Sequence, residues 1–517
     1  MKTMAFKEIN FIQDFLRLQG CFIFRNRFLL IIIFYITFAT VLSAQEMTFS
    51  LKNTIELACD SSLRAFSAKN TYLSSYWEFR SYRAARLPSL TMSLTPLQYH
   101  RSFTSRYDSE TNRDVYRQQQ SLYSYGNLAV AQNFDLTGGT FYIDSELGYL
   151  RNFGVNIYEE FSAVPLRIGY SQNLLGYNSF KWEKRIEPLK YEKAKKRLLY
   201  TMEEISESAA QYFFSLAMAQ VEYDLAKVGL ASSDTLYKIG VERQKIASIS
   251  NADLLTLKLD LVNAGNTLKN AEIKIKKAMF GFVTFLNMDK KTSVRLDLPE
   301  RPGNMEISAD EAIELVRKNN PDLLTHRQAL MEAEQAVDRT TRSSKMEASI
   351  DLSVGFNQVA SNLSDSYKDP LEQDVVSLRL QIPLIDWGVR KGRVNMAKNE
   401  LNVTKLSIRQ SELSLEEEII MTVSEFNVQQ DLINSAQEAK LLADMAYDAT
   451  KQRFLIGKAD ISSLTLSLNR QESAQKNYIS ALQNYWLSYF KIRKLTLFDF
   501  EKKEALNTDF ESKYGIH

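Results

Sequence analysis

Side chains able to make or break bonds are few and scattered in this chain. Its histidines stand at 100, 326 and 517, far apart and without a His-Glu-x-x-His arrangement, so neither a zinc site nor a histidine-based catalytic site is expected. Neither G-x-x-x-x-G-K-[ST] nor G-x-G-x-x-G occurs, and any driving energy must come from a partner. Carboxylates are plentiful, but runs such as Glu203-Glu204 and Glu416 to Glu418 read as solvated helix faces. These residue types point away from an enzyme and call for no cofactor or resident metal. What remains is a charged stretch that occurs twice. Arg243-Gln244-Lys245-Ile246-Ala247, followed by Ser250, Asp253 and Leu254, recurs as Arg453-Phe454-Leu455-Ile456-Gly457, followed by Asp460, Ser463 and Leu464, at an offset of 210.

The elements around these stretches are long helices. Alternate steps of four and three residues from Leu198 reach Met202, Ile205, Ala209, Tyr212, Leu216, Ala219, Tyr223, Ala226 and Leu230. A second ladder runs Leu254, Leu257, Leu261, Ala264, Leu268, Ala271, Ile275, Ala278 and Phe282. A spacing of about 3.5 residues held this long keeps one apolar seam against neighbouring helices, and the break at Ala247 to Asn251 predicts a tight helical hairpin. The intervals Leu189 to Leu298 and Leu384 to His517 contain no proline, so long helices fit there, the first from Leu189 to Ile246.

The duplication is wider than the turns. Thr48 to Leu57 resembles Glu306 to Leu315, each a capped helix start, and Leu166-Arg167-Ile168 recurs as Leu378-Arg379-Leu380. The predicted organisation is therefore a signal peptide at 1–44, a first repeat at 45–298, a second at 299–500 and a tail at 501–517. Between the helices the period changes to two. Ala348, Ile350, Leu352, Val354 and Phe356 alternate with polar residues, and so do Val376, Leu378, Leu380, Ile382 and Leu384. Membrane strands and soluble half-buried hairpins both give this pattern. The first repeat has matching strands at Leu90 to Thr95 and Val164 to Gln172, plus an extra pair at Leu128 to Phe134 and Thr140 to Tyr149, which could join the sheet or stand apart. Tyr99, Tyr170, Tyr177, Trp182 and Trp387 lie near strand ends, where an interfacial aromatic belt or an ordinary core would use them.

Arg25 and Arg27 precede the apolar run Phe28 to Leu42, then Ser43, Ala44 and Gln45. This is the pattern of a secretory signal cleaved after Ser43 or Ala44, with an N-terminal anchor as the alternative. Those 44 residues hold five basic and two acidic side chains, leaving 59 and 60 in the remainder. A balance of that kind offers no basic surface for nucleic acid. Cys59 is then the single cysteine left, so no intrachain disulfide is expected. No later stretch is apolar over the roughly 18 to 20 residues that a membrane helix requires. A membrane role therefore needs strands, and since two or three strands per repeat leave open edges, several protomers must complete one barrel.

The tandem repeat, its helix–strand–strand–helix–helix order, Pro383-Leu384-Ile385-Asp386-Trp387-Gly388 after the last strand and the two Arg-x-x-Ile-Ala/Gly turns resemble the TolC-like outer-membrane efflux proteins, from about Thr48 to Leu497. The resemblance implies a mainly α fold with membrane β: a homotrimer whose strands form a 12-stranded barrel in outer-membrane lipid and whose long helices form a periplasmic α-helical barrel. It implies the exit duct of a tripartite efflux pump or type I secretion system, joined by a periplasmic adaptor to an RND or ABC transporter of the inner membrane. A tip or gate at Arg243, Asp253, Arg453, Phe454 and Asp460 follows, with adaptor docking at Ala247, Ser250 and Gly457. The second turn departs from the family pattern, with Ser463 at the position equivalent to Asp253 and Leu466 where another acid is common; Asp460 could supply that charge. A carboxylate ring would attract cations, whereas Asp253 and Asp460 could equally cap the returning helices. A non-channel alternative is an exported coiled-coil scaffold or adhesion protein.

Overall fold

The computed structural model describes residues 47–153, 157–246, 248–300 and 303–506. The expected signal peptide, Ala247 and the tail from residue 507 lie outside them. The chain forms two units. One takes in the chain up to Leu63, Ile205–Gly303 and Gln429–Leu487; the other takes in Arg64–Glu204, Asn304–Val428 and the chain from Ser488.

Each repeat starts with a short helix followed by a longer one. Helices α1 (Leu51–Ser61) and α2 (Leu63–Ala84) open the first, preceded by strand β1 (Met47–Ser50). Ser50 caps α1 by accepting from the Asn53 amide at 3.2 Å, which satisfies one of the donors left free at a helix start. Long helices α3 (Ser179–Lys245) and α4 (Asn251–Phe285) close the repeat, and strand β6 (Val294–Asp297) follows. The second repeat has α5 (Ala309–Asn319), α6 (Pro321–Ser343), α7 (Val389–Leu455) and α8 (Ile461–Thr496). Asn320 caps α6, accepting from Asp322 N at 2.8 Å, with Pro321 in the first turn, where a missing N–H costs nothing. Helices α1 and α5 are both 11 residues long, and α3 and α7 are both 67. None of these helices is long and apolar enough to cross a membrane.

The first unit holds the C-terminal parts of α3 and α7 and the turns that follow them. Its strands β1 and β6 pair in parallel, Met47 with Val294 through Ser50 with Asp297. Gln220 on α3 reads the outer edge of β6, donating to Val294 O at 2.7 Å and accepting from Leu296 N at 3.2 Å. Phe213 and Phe214 are fully buried and pack edge to face. The heptad ladder steps past both, because it samples one narrow seam and α3 buries a wider face.

The second unit contains the sheet. Strands β2 (Ser89–Asp108), β3 (Arg113–Asn133), β4 (Thr140–Phe153), β5 (Ile157–Asn173), β7 (Glu347–Ala360) and β8 (Leu371–Gln381) form one six-stranded antiparallel sheet in the order β2-β3-β4-β5-β7-β8. The extra hairpin of the first repeat is therefore in the sheet. The sheet of one chain thus has six strands, where the barrel implied by the resemblance takes four from each chain; β3 is paired on one side with β2 and on the other with β4. The register brings apolar side chains to one face: Leu90 opposite Val130, Val130 opposite Ile143, Ile143 opposite Ile168, and Ile168 opposite Val354. Register shifts fall at Thr95/Gln98 and Ala163/Arg167, around Pro96 and Pro165. Proline cannot donate to a ladder and is accommodated at bulges. The first shift also changes parity, so that Leu97 and Tyr99 return to the face of Leu90, Met92 and Leu94.

The opposite face is polar. Arg167 lies directly across from Asp144 and donates Nε to its Oδ1 at 3.0 Å and Nη2 to Oδ2 at 2.6 Å. Asn127 donates to Asp144 and Glu146, at 3.2 Å each. Elsewhere in this unit Tyr191 stacks on Phe79 with ring centroids 4.8 Å apart, and Tyr72, Tyr191 and Leu198 form a buried cluster.

Three expectations are corrected. Helix α3 begins at Ser179, not Leu189, and carries Pro188 as its tenth residue. Burial of Trp182, Ile186, Leu189 and Tyr191 around the proline offsets its cost of about 3 kcal/mol. Trp182 is not an interfacial residue but a buried anchor whose Nε1 donates to Asp338 at 2.9 Å. Glu203 is not a solvated carboxylate: it is only 7% exposed and accepts from Arg493 at 3.0 Å, while Arg493 also meets Asp499 at 3.3 Å. Glu204 next to it does face solvent, paired with Arg64 at 2.9 Å.

Candidate functional site

The repeated charged stretches form two turns of one construction within the first unit. Helix α3 ends at Lys245 and α7 at Leu455. Ser248 N donates to Arg243 O at 2.8 Å, and Lys458 N donates to Arg453 O at 2.8 Å, the same bond 210 residues later. The last carbonyls of each helix are thus closed by the chain leaving it. In the second turn Gly457 has φ +76°, a left-handed conformation that glycine adopts without a Cβ penalty. Its counterpart Ala247 is outside the described residues.

The returning helices start with caps whose parts are exchanged. Ser250 is the cap of α4: its Oγ accepts from Asp253 N at 3.1 Å, and its own N donates to Asp253 Oδ2 at 3.0 Å, a reciprocal capping box. In the second turn the carboxylate is itself the cap, with Asp460 Oδ1 accepting from Ser463 N at 2.7 Å. The serine and aspartate have traded places between cap and third position, so each turn keeps one carboxylate. That is why Ser463 stands where the first repeat has Asp253. Hydrogen bonds from the Ser463 side chain and backbone hold the Asp460 carboxyl below the usual carboxylate range. Both carboxylates therefore serve as caps, and both are on exposed residues.

Arg243 joins the two turns. Its Nη2 donates to Phe454 O at 3.2 Å and Leu455 O at 3.4 Å, and its guanidinium lies 5.1 Å from the Phe454 ring centroid. A cation is favourable at the C-terminal end of α7, where unpaired carbonyls concentrate negative potential. Phe454 is 3% exposed and packs with Tyr447, Leu464 and Leu236. It is a core residue beneath the turn that presents its ring to Arg243 and lines the cleft between the turns. Arg453, one residue earlier, is exposed and has no ion-pair partner among the described residues. The turns enclose a cleft of about 220 Å³ lined by Arg243, Asp253, Gly457 and Asp460 among others. Spacing alone missed Gly240, where a Cβ would come 2.4 Å from Leu257 Cδ1; its lack of a side chain lets α3 and α4 approach at the hairpin. An isolated glycine within an otherwise helical pattern was the available signal. Among the described residues no group of His, Cys, Asp and Glu is arranged to hold a metal ion.

Residues 312–496 match the family model described as outer membrane efflux protein. The chain carries an outer membrane efflux protein domain. This domain runs from α5 to the end of α8 and so includes β7, β8 and the whole second turn. The offset of 210 carries the plan of the efflux protein domain's long helices and turn into α3 and α4. Solved structures share the fold over most of the chain. The CmeC outer membrane channel of Campylobacter jejuni has a TM-score of 0.62 at 14% identity, covering 90% of this chain and 88% of that one. The open state of the MtrE outer membrane channel of Neisseria gonorrhoeae gives 0.59 at 13%, covering 89% and 91%. The outer membrane protein VceC of Vibrio cholerae gives 0.57 at 14%, covering 88% and 97%. No curated protein matches the chain in sequence.

Proposed function

We propose that the chain is one subunit of a trimeric outer-membrane channel, the exit duct of a tripartite efflux pump or type I secretion system. The observation that carries this reading is a single chain joining a two-faced antiparallel sheet to two helical hairpins with the same turn bonds 210 residues apart. The sheet's apolar face suits lipid and its polar face suits water, while the duplicated hairpins suit a ring in which three chains contribute six similar turns. The proposed division is a first repeat at 45–298 and a second at 299–500. The turns form the periplasmic tip, with Arg243, Arg453, Asp253 and Asp460 as its charges and Phe454 as the support of Arg243. Ala247, Ser250 and Gly457 face a periplasmic adaptor, which couples the duct to an RND or ABC transporter in the inner membrane.

Reconstitution in planar bilayers tests the reading. Heat-modifiable trimers from the outer-membrane fraction should conduct ions, and Asp253→Ala with Asp460→Ala should lower cation selectivity. A soluble, non-conducting monomer would instead favour an exported scaffold. Gly457→Glu should impair efflux while trimers persist; normal efflux in that variant would reject docking at the turn.

A further inference from the structure

The sheet has two free edges, and their chemistry specifies what covers them. β3, β4, β5 and β7 are each paired on both sides, leaving β2 and β8 as the edge strands. Six is an even number of antiparallel strands, so β2 and β8 run in opposite directions. β8 of one copy can therefore meet β2 of the next in an antiparallel pair like every other pair in the sheet. The side chains agree. Leu90, Met92 and Leu94 on β2 and Val376, Leu378 and Leu380 on β8 lie on the same face of the sheet and are all exposed. Thr91, Ser93 and Thr95, and Ser377, Arg379 and Gln381, lie on the other. Joining the edges continues the apolar band without a break, whereas leaving them open in hydrocarbon would strand two rows of backbone groups. Within one chain the edges cannot meet: five strand spacings of about 4.8 Å separate them by roughly 24 Å, and a ring of six strands is smaller than the eight-stranded barrels whose interiors side chains just fill.

We infer that β8 of each protomer pairs with β2 of the next copy of this chain, closing a head-to-tail ring in which each chain contributes six strands. This rests on the trimeric reading above, and three copies then give eighteen strands. With strands tilted by about 40°, such a barrel has a backbone radius of roughly 18 Å, against roughly 12 Å for twelve strands. The opening at the outer surface is half as wide again, and the first repeat's extra hairpin is what widens it. Trp387, 94% exposed just after β8, then stands beside the new seam.

Cysteine pairs on the polar faces test the seam in the full chain, with Cys59→Ser as background. Thr91→Cys, Ser93→Cys or Thr95→Cys would each be combined with Ser377→Cys or Gln381→Cys, and oxidised in outer-membrane fractions. At least one combination should give a reducible ladder that ends at three chains. Control combinations place the second cysteine on β4, as Tyr142→Cys or Gly148→Cys, with Ser377→Cys. Links in the controls but not in the β2 set would show a ring of four strands per chain with β2 and β3 outside it, and would overturn the inference. Heat-resistant trimers with no link from any β2 combination would overturn it as well. A ladder ending at two or four chains, or absence of membrane trimers, would reject the trimeric reading and the eighteen-stranded ring together.

Discussion

Replacing Arg243 with alanine removes a hydrogen-bonded tie between α3 and the end of α7 at the turns. It deletes two hydrogen bonds, to Phe454 O at 3.2 Å and Leu455 O at 3.4 Å, and a ring contact at 5.1 Å. Hydrogen bonds to a charged group contribute about 1.5 to 3 kcal/mol when well formed. These are long and half exposed, so together they belong at or below the lower limit. An exposed cation over an aromatic ring adds about 0.5 kcal/mol. The expected loss is about 1.4 kcal/mol, a tenfold change in the balance between joined and separated turns. Hydrogen exchange reads this directly, since Ile456, Gly457 and Lys458 donate their amides to Gln452, Phe454 and Arg453 within the turn. In Arg243→Ala, exchange across 452–460 should speed up roughly tenfold, while α6 stays as in the wild type. Arg243→Lys should give an intermediate rate, because a point charge keeps the attraction to the helix end but not the fork or the stacking. Exchange rates in the turn unchanged by Arg243→Ala would refute the proposed tie.

Gly457→Ala should destabilise the second turn by about 1 kcal/mol, with Gly457→Asn closer to neutral, because φ +76° penalises a Cβ but suits asparagine; exchange at Lys458 would show the order. The Asp460 cap should be pH-dependent. Its folded pKa is depressed, so its contribution is present above the unfolded carboxyl value of about 3.9 and is lost as pH falls through the lower folded value. Asp460→Asn should abolish that acid dependence of exchange at Ser463. Glu203→Ala should lower thermal stability by about 3 kcal/mol, since it removes one partner of a buried ion pair; Asp499 still faces Arg493 at 3.3 Å, which keeps the loss at the lower end. A melting temperature unaffected by Glu203→Ala would mean that the pair contributes nothing.

What could be read from the sequence was what repeats or alternates. The 210-residue offset located both turns, and the 258-residue offset between their opening helices placed α1 and α5. The strands were found only where alternation is clean. β2 runs to Asp108, but His100-Arg101-Ser102 and Thr104-Ser105-Arg106 are polar on both faces and give no period to detect. The bulges at Pro96 and Pro165 further invert the phase partway along β2 and β5, so a single-phase pattern fits only part of each. Glu203 was misjudged for a different reason. Residue type says that a carboxylate tends outward. The deciding fact is the neighbour, Arg493, 290 residues away.

The matched helix lengths bear on how such a protein can change over time. Helices α3 and α7 each have 67 residues, α4 has 35 and α8 has 36, and Arg243 at the end of α3 reaches carbonyls at the end of α7. Inserting one heptad into α3 alone would displace its turn by about 10 Å at 1.5 Å per residue, far beyond the reach of that contact. Length is thus a property shared by four segments, and a lineage that lengthens or shortens the protein must do so by concerted, equal insertions or deletions in both repeats.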